Sequence, residues 1–446
     1  MKHFLFFFSL FIGHTCLHSQ ANLPQDRPKL LSGPMLGYAE MREASIWIQS
    51  STSVTCHIKF WPKGSENIII KKYVDATEAN GNTVEFVLSG LEPGTTYQYV
   101  VNVGGYLGFE GEKEFSTQPL WQYRTEPPDF KIAFGSCVFV NEPLYDRPGD
   151  GYGGGYEIFS SINAMNPDLM LWGGDNVYFR EVDWNSRSGM IHRYTHSRSV
   201  AELKPLLSSC PHYAIWDDHD FGPNDSNGSF SHKLEALEVF DLFWANNGSG
   251  ADGLQDNSSQ FTWGDVDFFL LDNRSHRTDW NIKGTEPTIL GDEQITWLIA
   301  ALKFSKAPFK MVAMGGQFLN SSAKYENYAN WGIERQKIID LIGQNNITGV
   351  VFLTGDRHCT EFSKLTLDSG IAIYDLTVSP LTSSFFDISK EENTLRVDGT
   401  IVAERNFSIL SFSGKRKERV LKMEVFDAKG KLKWEQTIAE PNLEKK

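Results

Sequence analysis

The 446-residue sequence lacks several features that would assign a protein class directly. It contains no CxxC pair, no G-x-x-x-x-G-K-[ST] phosphate loop, no H-E-x-x-H zinc motif, no repeat and no low-complexity tract. These absences exclude a P-loop nucleotide-binding protein, an H-E-x-x-H metalloprotease and a repeat array. Beyond the start of the chain no apolar run is long enough to cross a bilayer, so we expect no transmembrane segment.

Positive charge is also in short supply. The chain has 42 Lys and Arg against 56 Asp and Glu, and its formal charge of −14 disfavours nucleic-acid binding through a basic surface. Hydrophobic residues at 41% and charged residues at 22% exclude a disordered chain and a multi-span membrane protein. Aromatic residues at 13% and 38 glycines favour strands and tight turns over a helical bundle. The sequence leaves the oligomeric state open.

The first residues have the pattern of an export signal. Lys2 precedes an apolar run over residues 4–12, and small or polar residues follow as far as Ala21. This pattern predicts a signal peptide over residues 1–20, cut after Ser19 or Ala21, because the apolar run is too short to span a bilayer. We therefore expect the mature protein to be exported, either to the periplasm or out of the cell.

The mature chain retains four cysteines, Cys56, Cys137, Cys210 and Cys359. Four cysteines permit three disulfide pairings, and their spacing selects none of them. The alternatives are a disulfide, which export would favour, or small buried hydrophobic side chains.

Residues 28–118 have the pattern of an all-β module. Apolar and polar residues alternate over residues 54–60 and 84–88, which is the period of half-buried strands. The turn Pro93-Gly94 leads into a strand containing Tyr97. This is similar to the corner of fibronectin type III domains, where a Tyr hydroxyl bonds back to the backbone. The resemblance implies a fibronectin III-like β-sandwich with a packing or presenting role.

A proline-containing linker over residues 116–129 precedes a change of pattern. From residue 129 to 440 continuous apolar runs alternate with helical stretches, which favours a largely parallel sheet covered on both faces. The predicted strands cover residues 130–134, 169–172, 213–216, 266–271, 309–314 and 349–354. The clearest predicted helices cover residues 292–302 and 332–342, and a hairpin is predicted around residues 428–430.

Polar side chains follow four of these strands. They are Cys137 after the first, Asp175 and Tyr178 after the second, Asp217, Asp218, His219 and Asp220 after the third, and Asp356, Arg357 and His358 after the last. Because sites form at the carboxyl ends of parallel strands, we expect these side chains to converge at one edge.

A metal site explains this convergence best. The three carboxylates at residues 217, 218 and 220 repel one another unless a cation is present. Carboxylate, amide and imidazole ligands suit divalent ions, whereas a phenolate and a thiolate favour ferric iron. Two ions roughly 3.5–4 Å apart can clamp a phosphate, and Asp175 is the expected bridging ligand because its strand is predicted to be central.

The motifs at these positions resemble a known family. They read Phe134-Gly135-Ser136-Cys137, Gly174-Asp175-Asn176-Val177-Tyr178, Trp216-Asp217-Asp218-His219-Asp220, Leu271-Asp272-Asn273-Arg274, Leu290-Gly291-Asp292-Glu293-Gln294 and Leu353-Thr354-Gly355-Asp356-Arg357-His358. In this order they resemble the PhoD-like alkaline phosphatases of the metallophosphoesterase superfamily. The resemblance implies an α/β catalytic domain over residues 129–440, with two central sheets flanked by helices.

The resemblance also implies roles for individual residues in a dinuclear or trinuclear metal site. A ferric ion would lie among Cys137, Asp175, Tyr178 and His358, and calcium would be held by Asp218, Asn224 and Asp356. His219 would protonate the leaving group, with Asp217 as a supporting carboxylate. Arg357 would contact the phosphate or support the site from behind.

Three positions depart from the expected patterns. The wider superfamily begins with Asp-x-His, whereas this chain has Ser136-Cys137-Val138 there, a change that PhoD-like members share. The strand at 309–314 ends in Gly315-Gly316-Gln317 where a His is usual, and Phe221-Gly222-Pro223-Asn224 stands where Glu and paired Asn residues are expected. The change at residues 315–317 removes one expected metal ligand. The change at residues 221–224 alters the motif from which Asn224 is taken as a calcium ligand.

These observations predict a secreted, metal-dependent phosphoester hydrolase that uses a metal-bound hydroxide to release phosphate. One alternative is a phosphodiesterase or phospholipase D-type activity on phospholipid or polymer esters, since pocket shape selects the substrate. The other is a non-enzymatic extracellular calcium-binding or adhesion protein. Tyr178 distinguishes an enzyme from this non-enzymatic alternative, because a structural calcium site has no use for a phenolate.

Overall fold

The computed structural model of the protein describes residues 27–65, 69–251 and 253–441. The predicted signal peptide over residues 1–20, which contains the fifth cysteine of the sequence, Cys16, lies outside the described residues. Among the described helices, none has the length and apolarity that crossing a bilayer requires.

The first part of the chain is a two-sheet sandwich. Its strands are β1 (Leu30–Ala39), β2 (Glu43–Ser50), β3 (Val54–Pro62), β4 (Ile70–Ala76), β5 (Thr83–Ser89), β6 (Thr96–Val103), β7 (Tyr106–Leu107) and β8 (Lys113–Ser116). One sheet has the order β1-β2-β5 and the other β4-β3-β6-β7, with β8 also paired to β6. Cys56, Ile58 and Phe60 of β3 alternate with more exposed residues and face the core between the sheets. The predicted β-sandwich is confirmed.

The expected tyrosine corner is present in this sandwich. The hydroxyl of Tyr97 accepts a hydrogen bond from the backbone N–H of Glu92 at 2.9 Å. The Tyr97 ring is buried and stacks on Phe115, with ring centroids 5.3 Å apart. The bond therefore fixes the turn before β6 to the strand that follows it.

The rest of the chain is an α/β region with two mixed sheets. Its strands are β9 (Phe130–Gly135), β10 (Leu169–Gly173), β11 (His212–Ile215), β12 (Ser259–Trp263), β13 (Val266–Leu270), β14 (Lys310–Ala313), β15 (Val350–Thr354), β16 (Glu361–Thr366), β17 (Ala372–Thr377), β18 (Asn406–Ser413), β19 (Val420–Asp427) and β20 (Leu432–Ala439). Its helices are α1 (Glu157–Ala164), α2 (Arg187–Ser197), α3 (Leu203–Leu207), α4 (Asp218–Phe221), α5 (Lys233–Phe243), α6 (Gly291–Phe304) and α7 (Gly332–Gln344).

The sheet orders are β11-β10-β9-β18-β19-β20 and β12-β13-β14-β15-β17-β16. Strands β9, β10 and β11 run parallel in the first sheet, and β13, β14, β15 and β17 run parallel in the second. The apolar pattern alone favoured a single, largely parallel sheet, and the resemblance implied two. Two sheets are observed. The apolar pattern could not distinguish one sheet from two, because strands covered on both faces have the same pattern in either arrangement.

The two sheets pack face to face. Side chains of the first sheet, such as Leu171 and Ile215, share one buried cluster with Phe268, Met311 and Leu353 of the second. The predicted helices correspond to α6 and α7, and the predicted terminal hairpin is β19 with β20. This packing brings the carboxyl ends of parallel strands from both sheets to one side of the molecule.

The sandwich also packs on the α/β region. Met35 and Trp47 belong to the same buried cluster as helices α2 and α5. The Trp47 indole N–H donates to the carbonyl of Leu242 at 2.8 Å, and Leu36 forms a parallel bridge with Pro211. The two parts therefore share apolar core.

All four described cysteines are buried and unpaired. Cys56 lies in the sandwich core and Cys210 among the helices, so both act as small hydrophobic side chains. The disulfide alternative is not supported within the part of the chain that the structure describes.

Candidate metal centre

The predicted convergence of polar side chains occurs where the two sheets meet. Cys137 follows β9, Asp175 follows β10 and Asp218 follows β11 in the first sheet, whereas Asp356 and His358 follow β15 in the second. Potential ligand atoms of Cys137, Asp175 and His358 lie within 4.8 Å of one another, and the same holds for those of Asp175, Asp217, Asp218 and Asp356. Asp175 is common to both groups, as expected of a bridging ligand.

The backbone at this site is strained. Cys137, Asp175, Asp356 and His358 have φ angles of 63°, 52°, 65° and 52°, in the left-handed region that non-glycine residues rarely occupy. Each such residue costs about 1–3 kcal/mol and persists only where the surrounding structure imposes the conformation. Glycine would relieve the strain but would supply no ligand atom, so the strain is itself an indication of function.

The first group contains the softer donors. The Tyr178 hydroxyl lies 3.0 Å from Nε2 of His358 and 3.2 Å from Oδ2 of Asp175. The Cys137 sulfur lies 3.6 Å from Oδ2 of Asp175 and accepts a hydrogen bond from the Ser379 hydroxyl at 3.1 Å. Burial, reinforced by the charge of Asp175, raises the pKa of Cys137 and of Tyr178. A thiolate and a phenolate in this place therefore require a cation beside them.

The second group contains an excess of buried negative charge. Burial and the neighbouring carboxylates raise the pKa of Asp175 and of Asp356. Burial also acts to raise the pKa of Asp218, but His219, Arg274 and the backbone N–H of Asp225 outweigh it and hold that pKa below its usual range. Among the described residues, Oδ2 of Asp217 and Oδ1 of Asp218 accept no hydrogen bond. Although Arg274 lies 3.6 Å from Oδ1 of Asp218, buried carboxylate oxygens without hydrogen bonds fit divalent cations, so the donor set is suited to metal ions.

Asp217 and Asp220 have hydrogen bonds within the protein that the run of acidic residues over 217–220 did not predict. Asp217 caps helix α4, and its backbone N–H donates to Oδ1 of Asp220 at 2.5 Å. Asp220 also accepts from both the backbone and the side chain of Asn176 at 3.0 and 2.8 Å. Asp220 therefore holds the turn, and burial raises the pKa of Asp217 to about 6 although Arg274 opposes this.

His219 lies at the boundary between the metal centre and an open cavity. Its backbone N–H donates to Oδ1 of Asp175 at 3.2 Å, and its ring centroid lies 4.2 Å from that of Tyr178. Its Nε2 is 3.9 Å from Oδ2 of Asp218, so Asp218 rather than Asp217 is the carboxylate beside it. Burial lowers the pKa of His219, and the charge of Asp218 partly offsets this.

Arg357 is held away from solvent by several acceptors. Its guanidinium forms an ion pair with Glu391 at 2.8 Å and donates to Gln317 at 2.9 Å and to Asn327 at 2.7 Å. Its donors are thus largely engaged, which favours the supporting role over direct phosphate contact. Gln317, at the end of the strand that lacks the usual His, serves here as a partner of Arg357.

Asn224 is exposed and lines the cavity beside His219. Its neighbour Asp225 approaches the metal centre instead: the Asp225 backbone N–H donates to Oδ2 of Asp218 at 2.7 Å. Potential ligand atoms of Asp218, Asp225 and Glu326 lie within 4.8 Å of one another. Asp225 is therefore a candidate ligand beside Asp218 that was not identified from the sequence.

Three further charged residues near the centre, Arg274, Arg277 and Glu326, were not identified as site residues from the sequence. Arg274 forms ion pairs with Asp217 and, at 2.6 Å, with Glu326, and Arg277 pairs with Glu326 as well. Arg274 belongs to the Asp272-Asn273-Arg274 motif that supported the family resemblance, so the sequence could have indicated that it lies near the site. Glu326 lies in an irregular segment with no motif, and only the fold brings it to the site.

Comparison with known proteins gives two family matches. The family model described as PhoD-like phosphatase matches residues 144–420. A second model, described as a domain of unknown function, matches residues 27–117.

Individual relatives agree with the first match. The alkaline phosphatase D of Bacillus subtilis (strain 168) is 25% identical over 350 residues, which cover 67% of this chain and 57% of that protein. A solved structure of PhoD is 19% identical to this chain, with a TM-score of 0.73 and 92% of each chain covered. The purple acid phosphatase PPD1 from yellow lupin (Lupinus luteus) seeds is 14% identical, with a TM-score of 0.65, over 92% of this chain and 74% of that chain. The two structures share the fold described above.

Proposed function

Because this chain belongs to the PhoD-like phosphatase family, we propose that it is a metal-dependent hydrolase that releases phosphate from a phosphate ester. The observation that carries this proposal is the convergence of Cys137, Asp175, Asp218, Asp356 and His358 at one place, with buried carboxylate oxygens left without hydrogen bonds. Such a cluster is destabilising without cations and has the donor types that catalytic metal ions use.

The donor chemistry divides the ligands between two kinds of ion. Cys137, Tyr178 and His358 with Asp175 would hold ferric iron, since thiolate and phenolate prefer an acidic centre. Asp218 and Asp356, with Asp175 shared and Asn224 as a further candidate, would hold calcium or another hard divalent ion. When bound, the ions would neutralise charge on the phosphoryl oxygens and lower the pKa of a water molecule.

The residues of the chain supply orientation and a proton. Asp175 fixes the turn at His219 through its hydrogen bond to the backbone N–H. The His219 ring faces the cavity, where it can give a proton to the departing oxygen of the ester. The nearby carboxylate of Asp218 favours the protonated ring and partly offsets burial, which lowers the pKa of His219. Arg357 keeps the chain after β15 in place through Glu391 and Gln317.

The proposal is tested by metal analysis of the purified protein and by phosphatase activity before and after chelation. We expect bound iron and a divalent metal, loss of activity on chelation, and recovery on adding the metals back. Asp175→Asn should lower the metal content and the activity together, whereas Asp292→Asn, which alters an exposed carboxylate on α6, should change neither. Activity that survives complete metal removal would contradict the proposal.

A diesterase activity is the second candidate, and the cavity beside His219 favours it. This cavity has a volume of about 870 Å³, which leaves room for an organic group in addition to phosphate. Rates with p-nitrophenyl phosphate and bis(p-nitrophenyl) phosphate distinguish the two activities. The non-enzymatic alternative is disfavoured by the family match and by the thiol and phenol among the ligands, which structural calcium does not use.

We also propose that the protein is exported, on the strength of the sequence pattern over residues 1–20. N-terminal sequencing of protein from the extracytoplasmic fraction of its host should find the chain beginning after Ser19 or Ala21.

A further inference from the structure

The cavity beside His219 and Tyr178 is much larger than a phosphate group requires. Its volume is about 870 Å³, within the range of pockets that bind a whole organic ligand. Much of its wall is apolar and aromatic, and the side chains that form this wall are Phe139, Leu144, Tyr145, Tyr152, Phe179 and Trp184. The cavity therefore offers contact to a flat or apolar group next to the proposed proton donor.

The charges around the cavity do not favour a second anionic group. The lining includes two arginines against three carboxylates. Arg180 forms an ion pair with Asp146 at 2.7 Å, and Arg147 lies 3.8 Å from Glu181. A polyphosphate or nucleic-acid strand would meet paired cations and an excess of acidic side chains, and would gain little from them.

The glycine-rich segment GYGGG, residues 151–155, presents one aromatic ring to this cavity. Asn141 binds Gly153 on both sides, donating to its carbonyl and accepting from its N–H, each at 2.8 Å. A Cβ atom on Gly153 would overlap the carbonyl oxygen of Phe139, so the close approach requires glycine. The N–H of Gly154 donates to Thr382 at 2.9 Å. These contacts anchor the segment just after Tyr152.

The Tyr152 ring, thus anchored, lies over the site and is 40% exposed. Its centroid is 4.9 Å from that of Phe139, 6.5 Å from that of Tyr178 and 6.0 Å from that of His358. The ring therefore joins the aromatic wall of the cavity to the proposed metal centre. A group that leaves from a phosphorus held at this centre would pass beside Tyr152.

From these observations we infer that the cavity is a leaving-group subsite for phosphate esters of aromatic or similarly flat apolar groups, and that Tyr152 determines this specificity. The inference rests on the proposed function and adds the class of substrate. Tyr152 acts by stacking on the organic part of the ester and takes no part in bond breaking.

The experiment compares phenyl phosphate with 2-naphthyl phosphate on the metal-loaded full chain. The two leaving groups have similar acidity, so the comparison isolates size and stacking. We expect the wild type to prefer the naphthyl ester by about tenfold in kcat/KM, mainly through KM. Tyr152→Ala should raise KM for the naphthyl ester about fivefold and largely remove the preference, whereas Tyr152→Phe, which keeps the ring, should retain it.

Tyr123→Ala is the matched control, since it removes a ring that is 96% exposed and outside the cavity. It should behave as the wild type. The inference is overturned if Tyr152→Ala keeps the preference, or if it lowers kcat equally for both esters, because Tyr152 would then only support Tyr178 and His358.

A separate measurement distinguishes failure of the subsite from failure of the proposed function. If the metal-loaded protein hydrolyses neither ester, the monoesterase form of the proposed function fails, and calorimetric titration with 2-naphthol tests the cavity alone. Binding to the wild type that Tyr152→Ala weakens would support the subsite. No binding to the wild type would overturn it.

Discussion

Nε of Arg274 donates to Oδ1 of Asp217 at 2.5 Å, and both side chains are completely excluded from solvent. Arg274 also pairs with Glu326, and Asn273 donates to the same oxygen of Asp217 at 2.8 Å. Asp217 directly precedes Asp218, one of the proposed metal ligands. Arg274 thus fixes the backbone next to the proposed ligand Asp218. Its positive charge also offsets the negative charge of Asp217 and Glu326, which the metal ions would otherwise have to neutralise alone.

Replacing Arg274 by Met should destabilise the protein strongly. The change leaves the buried Asp217 without a cationic partner and Glu326 with Arg277 alone, and breaking a buried pair in this way costs roughly 3–5 kcal/mol. Urea unfolding of the metal-free protein measures the loss. Lys337→Ala, which removes the exposed pair with Asp292, is the control and should cost less than about 1 kcal/mol. Equal losses in the two variants would contradict the structural role.

The two adjacent glycines after β14, Gly315 and Gly316, should respond differently to replacement by alanine. A Cβ atom on Gly315 would overlap the carboxylate of Asp217, whereas a Cβ atom on Gly316 would lie 3.4 Å from the carbonyl oxygen of Glu326. We expect Gly315→Ala to lose metal and most activity, because Asp217 must move, and Gly316→Ala to retain both. Metal content and phosphatase rate of the two variants, measured side by side, check this. Comparable behaviour would show that the Asp217 contact is unimportant.

Loss of the His219 side chain should affect poor leaving groups most. A proton donor matters little when the leaving group is acidic and much when it is an alcohol. We expect His219→Ala to slow an alkyl phosphate by roughly 10²–10⁴-fold and p-nitrophenyl phosphate far less. The rates are measured over a series of esters of graded leaving-group acidity. A uniform loss across the series would assign His219 to another task.

A ferric ion bound to Tyr178 should give the protein visible colour through charge transfer from the phenolate. Tyr178→Phe should abolish the phenolate band and leave only any absorption from the Cys137 thiolate, since the Tyr178 hydroxyl lies among the donors 3.0 Å from His358. Tyr152→Phe removes a nearby hydroxyl from a residue that is not a proposed ligand, and its band should remain. A phenolate band that survives in Tyr178→Phe would rule out this residue as the source.

Acid should destabilise the protein through a buried histidine, His212, at the amino-terminal end of β11, whereas Asp218 follows its carboxyl end. Nδ1 of His212 accepts from the Trp172 indole at 2.9 Å, and its Nε2–H donates to the carbonyl of Leu206 at 3.0 Å. Burial lowers the pKa of this histidine to about 3. Below about pH 6.5 the unfolded histidine binds a proton that the folded one refuses, so stability falls as the pH falls from about 6.5 towards 3.

The variant His212→Gln keeps a donor and an acceptor but does not titrate. Between pH 6 and 4 we expect the wild type to lose stability faster than this variant, by on the order of 1 kcal/mol per pH unit. Urea unfolding at several pH values gives the difference. Parallel curves for the two proteins would mean that His212 is protonated in the folded state.

Much of the site could be predicted because its ligands follow directly from strands. Cys137, Asp175, Asp218 and Asp356 each stand just after a buried apolar run, and the carboxyl ends of parallel strands meet at one edge. That rule requires no knowledge of the rest of the chain. The division into two sheets was not predictable from periodicity, because a strand buried on both faces has the same pattern in either arrangement.

The remaining contacts depend on segments without regular structure. Asp225 and Glu326 reach Asp218 from loops, and Glu391 reaches Arg357 from another, so no local pattern announces them. The position of Asp217 was predicted but its main contact, with Arg274, was not, since the two are 57 residues apart. Such pairings are fixed by packing, which sequence spacing does not describe.

The contact between Trp47 and the helices limits how far the protein can be shortened from its amino-terminal side. Met35 and Trp47 fill part of the core around α2 and α5, and the Trp47 indole is bonded to Leu242. A recombinant fragment that begins at residue 129 would present this apolar flank to water, and would be prone to aggregate even though every proposed ligand is included. The amino-terminal module is therefore part of what keeps the metal-binding half in solution.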